Sequence, residues 1–394
     1  MSKKPIIRSL LDTDLYKLTM MQTVLHHYPA AEVEYTFKCR TNDVNLQQYS
    51  SEIWQEIVAL CKLKFTDSEL DYLSRIYYLK PDFVQFLKLF QLNEHYVRLG
   101  EDDEGQLSVK IRGPWLHTIL FEVPVLSIIE EVYSRNTYPD YDLHLGQKRL
   151  KEKTDLIRSH PLGDKLKIME FGTRRRFSNV WQKKVLEHLK RSIKGNLVGT
   201  SNVYYAREFG LTPLGTMAHE YLQAFQALGP RLIDSQKVAL ETWIQEYRGD
   251  LGIALTDVVG IDAFLTDFDR YFAKLFDGVR HDSGCPYEWA EKVIAHYQLL
   301  GIDPKTKSLV FSDGLDIPKA LELLSALHEK INVVFGIGTN LTNDVGVTPL
   351  SIVIKMTQCN GQPVAKISDS PGKTMCRDEE YLTYLRKIFK LNDK

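Results

Sequence analysis

The segment from Leu211 to Tyr221 reads LTPLGTMAHEY. A short apolar run, LTPLG, ends in the small polar corner Gly215-Thr216, and His219 and Glu220 then open a helix-compatible stretch. A histidine so placed is offered to whatever binds beyond the strand end, although taken singly it also fits a helix-start cap. FGTRRR, VGTSN, VRHDSG, FSDGL and GIGTN likewise follow apolar runs, and each is small, polar or charged. Repetition of one kind of strand end predicts one shared rim.

Outward from this segment, apolar runs recur at KLKIMEFG, NLVGTS, LTPLG, GIALTDVVG, FDGVRHDSG, SLVFSDG and INVVFGIG, separated by amphipathic stretches. Repeated strand-then-helix order implies a parallel sheet. The expected fold class is therefore α/β, an irregular α/β barrel of about seven parallel strands over residues 136–346, whose strand C-termini carry the chemistry. Residues 1–135 read as α+β. They hold a helix in LLDTDLYKLTMMQTVLHHY behind Asp12 or Thr13, a strand in EVEYTFKCR, a capping box at Thr66 and Glu69, and a hairpin through HYVRLG and LSVKIRGPW. After Gly346 the alternation stops, and PLSIVIKMTQ, CNGQ and PVAKISDS signal a hairpin turning at Asn360-Gly361. Residues 347–394 are expected to rejoin residues 1–135 as one smaller domain built from both termini.

Composition bounds the partners. The 394 residues carry 50 Lys+Arg against 51 Asp+Glu, a net charge of −1, so no overall basic field favours nucleic acid or membrane surfaces. Any anion site must be local. Cys39, Cys61, Cys285, Cys359 and Cys376 are scattered and lack metal-ligand spacing, which favours reduced thiols in a cytoplasmic protein. The most apolar run, TILFEVPVLSII, is interrupted by Glu122 and Pro124 and is too short to span a bilayer.

The rim residues suggest phosphate and sugar chemistry. FGIGTN, with Gly336, Gly338 and Thr339, exposes backbone N–H groups to which a phosphate can come close. In RHDSG, Arg280 can clamp a carboxylate or phosphate while Asp282 holds sugar hydroxyls or a metal-bound water; a mutual ion pair is the plainer alternative. Asp313 of SDGL adds a second acid. In FGTRRR, Phe171 can stack on a flat ring, and Arg174, then Arg175, can neutralise phosphates. Adjacent arginines point different ways, so all three cannot line one pocket. These groups suit a phosphorylated sugar with Mg2+ and leave open an isomerase or aldolase of phosphosugars.

Taken in order, DTDLYKLTM, FGTRRR, GTSN, GTMAHEY, RHDSG, FSDGL and GIGTNL resemble the bacterial-type nicotinate phosphoribosyltransferase family over essentially the whole chain. The resemblance implies a type II phosphoribosyltransferase fold. It also implies an enzyme of NAD salvage that joins nicotinate to phosphoribosyl pyrophosphate with coupled ATP hydrolysis. His219 would then be autophosphorylated and, with Arg280 and Asp282, form the catalytic set. Tyr16, Phe171, Ser201, Thr216 and Arg280 would contact nicotinate, Tyr16 being donated by the second subunit of a homodimer. Arg174, Arg175, Asp313, Gly336, Gly338, Thr339, Lys366 and Lys373 would hold phosphoribosyl pyrophosphate. ATP is the implied co-substrate and Mg2+ the implied cofactor, with its ligands unassigned. Nicotinamide-using relatives carry an aspartate where VGTSN has Ser201, so serine favours the acid over the amide. Alternatives are a nicotinamide- or quinolinate-type transferase, or a binding protein that kept the barrel without turnover.

Overall fold

The computed structural model describes residues 4–368, 375–376 and 378–391. Among the described residues, twelve strands form two sheets. In chain order they are β1 (Glu32–Cys39), β2 (Val97–Glu101), β3 (Leu107–Pro114), β4 (Ile168–Glu170), β5 (Leu197–Thr200), β6 (Thr212–Pro213), β7 (Ile253–Leu255), β8 (Gly278–His281), β9 (Ser308–Phe311), β10 (Asn332–Ile337), β11 (Ile352–Cys359) and β12 (Gln362–Pro363). The strands predicted between residues 166 and 339 all form. They pair in parallel in the order β6-β5-β4-β10-β9-β8-β7. Because β10 returns to β4, the order is cyclic, with one seam between β6 and β7. The strands run the same way, so their C-terminal ends share one rim.

The seam is bridged by side chains rather than a backbone ladder. Thr216 Oγ1 donates to the Ile253 carbonyl at 2.7 Å, and Thr19 Oγ1 donates to the Thr216 carbonyl at 2.7 Å. Thr19 belongs to the helix Leu15–His27, whose residues from Leu15 to Val24 are all buried. A helix buried on every side must satisfy its polar side chains internally. Gln22 does so by donating to Glu246 at 2.8 Å and to the Tyr78 carbonyl at 3.0 Å. The residue preceding this helix is Asp14, not Asp12 or Thr13 as expected. Asp12 does not cap because its carboxylate receives the Arg176 guanidinium at 2.7 and 2.8 Å.

The second sheet, β12-β11-β1-β3-β2, is antiparallel and mixes strands from both ends of the chain. The predicted capping box forms: Glu69 N donates to Thr66 Oγ1 at 3.3 Å and Thr66 N to Glu69 Oε2 at 2.7 Å. Asn360 and Gly361 take φ of 48° and 74°, as a two-residue hairpin turn requires. The returning strand is shorter than expected. Pro363, which has no N–H, ends β12 after two residues. The chain then crosses to the barrel, where Ala365 N donates to Gln226 Oε1 at 2.9 Å and Ile367 N to the Val258 carbonyl at 2.7 Å. That departure carries Lys366 to the rim. Among the described residues, no helix is long and apolar enough to cross a membrane.

Candidate active site

His219 opens the helix His219–Leu228 beyond β6. Its Nε2 lies 2.8 Å from Asp257 Oδ1, 2.8 Å from Lys366 Nζ and 3.5 Å from Asp282 Oδ2. Asp257 follows β7 and is almost fully buried; its Oδ2 accepts from Lys366 at 2.5 Å and from Ser283 Oγ at 2.6 Å. A carboxylate oxygen at 2.8 Å from a ring nitrogen needs a proton between them. With Asp257 as its partner Nε2 carries the hydrogen and Nδ1 keeps the lone pair, while the Lys366 ammonium beside the same nitrogen donates to Asp257 Oδ2. Burial and then the neighbouring Lys366 ammonium push the imidazole below its ordinary value, so it is neutral near pH 7. Burial opposes ionisation of Asp257, yet His219 and Lys366 hold it well below the usual carboxylate range.

Asp282 links this imidazole to the next strand end. Its Oδ1 lies 3.2 Å from Arg280 and 2.8 Å from Ser312 Oγ, and Ser312 Oγ accepts from Arg280 Nε at 2.8 Å. Burial works against the charge, but Arg280, His219 and Lys366 bring Asp282 down to about 2. Asp282 also lines a cavity of about 410 Å3, together with Phe171, Arg174, Arg175, Arg280, Gly338 and Thr339. Three arginines and the glycine loop thus share one mouth, and the imidazole adjoins it through Asp282.

Residues 166–393 match the model of the "Nicotinate phosphoribosyltransferase (NAPRTase) family", and residues 11–130 match that of the NAPRTase N-terminal domain. The chain belongs to the nicotinate phosphoribosyltransferase family. It is 60% identical to the nicotinate phosphoribosyltransferase of Burkholderia mallei over 98% of this chain and 97% of the relative. It is also 60% identical to that of Xanthomonas euvesicatoria over 98% of each. The crystal structure of the nicotinate phosphoribosyltransferase from Vibrio cholerae superposes with a TM-score of 0.95 at 44% identity, covering 100% of this chain and 96% of that one. The Porphyromonas gingivalis structure of the same name gives 0.93 at 35% identity, covering 98% and 100%.

Within this family framework, some expected site residues converge on the cavity and others do not. The three arginines diverge as expected: Arg174 and Arg175 face the cavity, whereas Arg176 is fully buried on Asp12. Gly338 and Thr339 line the cavity, and Gly336 is not among its lining residues. A Cβ at Gly336 would lie 2.5 Å from the Phe171 ring, so this glycine makes room for Phe171. Ser312, Gly314, Leu315 and Asp316 form the wall after β9, whereas Asp313 acts electrostatically on His281. His281 is itself buried against Trp289 and Phe311.

Ser201 is 4% exposed and lies within hydrogen-bonding distance of Asp14 Oδ1, 2.7 Å away. The pocket region where serine was expected to spare a substrate carboxylate thus already contains an acid, one whose carboxyl burial pushes upward. Thr216 spends its hydroxyl proton on Ile253 across the seam. Tyr16 packs within its own chain at 8% exposure, and burial holds its phenol well above the ordinary range, so it is neutral beside Arg174. Lys366, expected near pyrophosphate, contacts His219 and Asp257. Lys373 lies outside the described residues.

Asp257 was missed, and Glu220, the acid next to His219 in sequence, faces Lys17 at 2.7 Å. The signal was present: Asp257 in GIALTDVVG directly follows a predicted strand, as the other rim residues do. Lys355 on β11 was also missed. Burial, then Lys366 and Arg40, push its ammonium down to about 8, and Asp257 and Asp282 oppose this.

Proposed function

We propose that this chain is a nicotinate phosphoribosyltransferase that couples transfer to ATP hydrolysis through a phosphohistidine at position 219. The observation that carries the proposal is the anchored, neutral His219 imidazole beside the cavity lined by Arg174, Arg175 and Arg280. The family and the names of its relatives support the substrate assignment.

In the coupling half-reaction, Nδ1 attacks the γ-phosphorus of ATP. The P–N bond forms, the bridging P–O bond breaks, and ADP leaves with that electron pair. Asp257 keeps the Nε2 proton in place and stabilises the imidazolium character that develops. Water later cleaves the P–N bond, releasing phosphate and restoring the imidazole. In the transfer half-reaction, the pyridine nitrogen of nicotinate bonds to the ribosyl anomeric carbon while the bond to pyrophosphate breaks. The electron pair leaves with pyrophosphate, so nicotinate mononucleotide and pyrophosphate are the products. The pyridine nitrogen is already a nucleophile, so the protein's task is to orient the ring and stabilise the departing anion. Arg174 and Arg175 stand where that charge can be met, and Phe171 offers a flat face at the cavity wall.

His219, Asp257 and Asp282 offer ligand atoms all within 4.8 Å of one another. Mg2+ prefers carboxylate, water and phosphate oxygens, so the two aspartates fit it, with Lys366 competing for Asp257. Bound there, Mg2+ would neutralise phosphate charge. Free thiols at all five cysteines suit the reducing cytoplasm included in this proposal. The homodimer implied by the family resemblance is also part of it, and sedimentation equilibrium tests that element.

The assay supplies nicotinate, phosphoribosyl pyrophosphate, γ-labelled ATP and Mg2+. Nicotinate mononucleotide and acid-labile phosphate on the protein, the latter lost in His219→Ala, are expected. Absence of the nucleotide refutes the transferase reading; absence of label refutes the coupling.

A further inference from the structure

Lys17 has none of its side chain exposed. Its ammonium lies 2.5 Å from Glu122 and 2.7 Å from Glu220. It also lies 5.6 and 5.8 Å from the ring centroids of Tyr16 and Tyr35. Glu220 stands next to His219 in the first turn of its helix. Glu122 opens the helix Glu122–Thr137, and its Oε1 lies 3.4 Å from Arg174. One buried cation therefore touches both the acid beside the imidazole and the acid behind a cavity arginine.

The charges in this cluster are unequal. Two buried carboxylates share one ammonium, and the remaining compensation comes from Arg174, whose side chain is 43% exposed and whose contact is the longest of the three. Burial raises Glu220 to about 7, with Glu122 adding to the rise, while Lys17 and Arg174 hold Glu122 below its ordinary value despite burial. An anion in the cavity that drew Arg174 toward itself would weaken the Arg174–Glu122 contact, shift Lys17 toward Glu122 and loosen its hold on Glu220 at the helix start bearing His219.

We propose that Lys17 is a positioning residue that couples anion binding at Arg174 to the placement of His219, acting through Glu122 and Glu220. This rests on the proposed function, because His219 matters here as a phosphoryl acceptor. Ionic contacts with two arrangements are the kind of element through which two sites bias one another.

The test measures the initial rate of acid-labile phosphate formation on full-length protein from γ-labelled ATP, with and without saturating phosphoribosyl pyrophosphate. In the wild type the two rates differ. In Lys17→Met their ratio moves toward one by about fivefold or more, the lower end of typical coupling factors. Lys17→Met strands two buried carboxylates and can fail to fold, so Lys17→Met/Glu220→Gln, which removes one of those charges, is run beside it. A double variant that melts like the wild type but has lost the rate ratio supports the proposal, because a merely structural role would be restored with the stability. A folded variant that keeps the wild-type ratio overturns it. If neither lysine variant folds, Glu220→Gln decides by the same criterion. Equal rates in the wild type also overturn the inference while leaving phosphorylation itself established. If the wild type takes no acid-labile phosphate, the coupling part of the proposed function fails. Lys17 is then judged by nucleotide formation in the same folded variant: a KM for phosphoribosyl pyrophosphate equal to the wild type's ends its role at Arg174, and an altered KM with unchanged kcat keeps it.

Discussion

Replacing Asp257 by asparagine keeps the shape of the side chain and removes the charge that fixes His219. In the wild type Asp257 accepts from His219 at 2.8 Å, Lys366 at 2.5 Å and Ser283 at 2.6 Å. An asparagine has one acceptor oxygen for these three donors, so the His219 contact competes with a buried ammonium and a hydroxyl. A hydrogen bond to a charged group is worth about 3 kcal/mol at the upper end. Lost in the transition state of phosphorylation, that energy corresponds to about a hundredfold in rate. The variant also leaves Lys366, 5% exposed, with Asp282 at 4.0 Å as its nearest remaining anion among the described residues, and breaking a buried pair in this way costs about 3 to 5 kcal/mol of stability. The assay is single-turnover phosphorylation with γ-labelled ATP at a temperature where circular dichroism shows the variant folded. A folded Asp257→Asn variant labelled within about threefold of the wild-type rate would refute the assignment of Asp257 as the group that orients the imidazole.

Other consequences follow from the same geometry. His219 is displaced below its ordinary 6.5, so its neutral form adds stability above that value, and this is lost as pH falls through the folded value. The acid limb of the phosphorylation rate should accordingly lie below pH 6.5, and a limb at or above it would contradict the buried imidazole. Arg280→Lys replaces a fork that spans Ser312 and Asp282 by a single ammonium, and an increase of about tenfold in KM for nicotinate is expected; an unchanged KM would confine Arg280 to a structural role. Ser201→Asp sets a second carboxylate against the buried Asp14, so a lower urea midpoint should accompany any loss of nicotinate use. Unchanged stability with lost binding would restore direct contact with the substrate as the cause. Glu130 is raised to about 8 chiefly by burial, so its stabilising protonation is lost as pH rises from 4.5 through that value. Glu130→Gln should gain melting temperature over the wild type above pH 8 and not at pH 5, and parallel melting curves at both pH values would argue against it.

The parallel sheet was legible because β4 through β10 each combine an apolar run with a polar corner, a pattern that local sequence carries by itself. The antiparallel sheet was legible for a similar reason: Asn360-Gly361 marks its turn, and both residues take the positive φ that such a turn needs. The length of β12 was less so, because Pro363 ends a ladder without saying where the chain goes next. The destination, Gln226 and Val258, lies far away in sequence, and it alone places Lys366 against His219. Within the rim, the motifs named the right loops more reliably than the right atoms. Gly336 reads in sequence as a phosphate cradle, and its second reason for being glycine, room for the Phe171 ring, is seen only in the structure. Asp257 and Lys17 escaped notice because a single acid after a strand and a single lysine in a helix carry no local mark of burial. Their roles arise from partners more than a hundred residues distant for Lys366 and Glu220.

The open seam explains why the amino-terminal motif belongs to the barrel's chemistry at all. A sheet of cyclic order with every neighbour paired would keep an outside helix behind the strands. Here β6 and β7 are not paired, and the helix Leu15–His27 reaches Thr216 at the gap, with Thr216 in turn bonded to Ile253. Leu15 N donates to the Ser201 carbonyl at 2.8 Å, which fixes the start of that helix against the end of β5. Tyr16 and Lys17 are consequently delivered beside Arg174 and Glu220 without any insertion into a rim loop. The burial that results takes the charged side chains of DTDLYK out of water, and each of them finds a protein partner, whereas Thr13 Oγ1 has none among the described residues. Asp12 finds Arg176, Asp14 finds Ser201, and Lys17 finds Glu122 and Glu220. A motif that looks like a surface helix start in sequence is therefore an internal ionic framework, tying the first helix to three separate strand ends. Substitutions that widen the seam, such as Thr216→Gly, should loosen all three ties together, seen as faster amide exchange at Leu15 and Lys17; exchange confined to the β6 end would show that the helix is held independently of the gap.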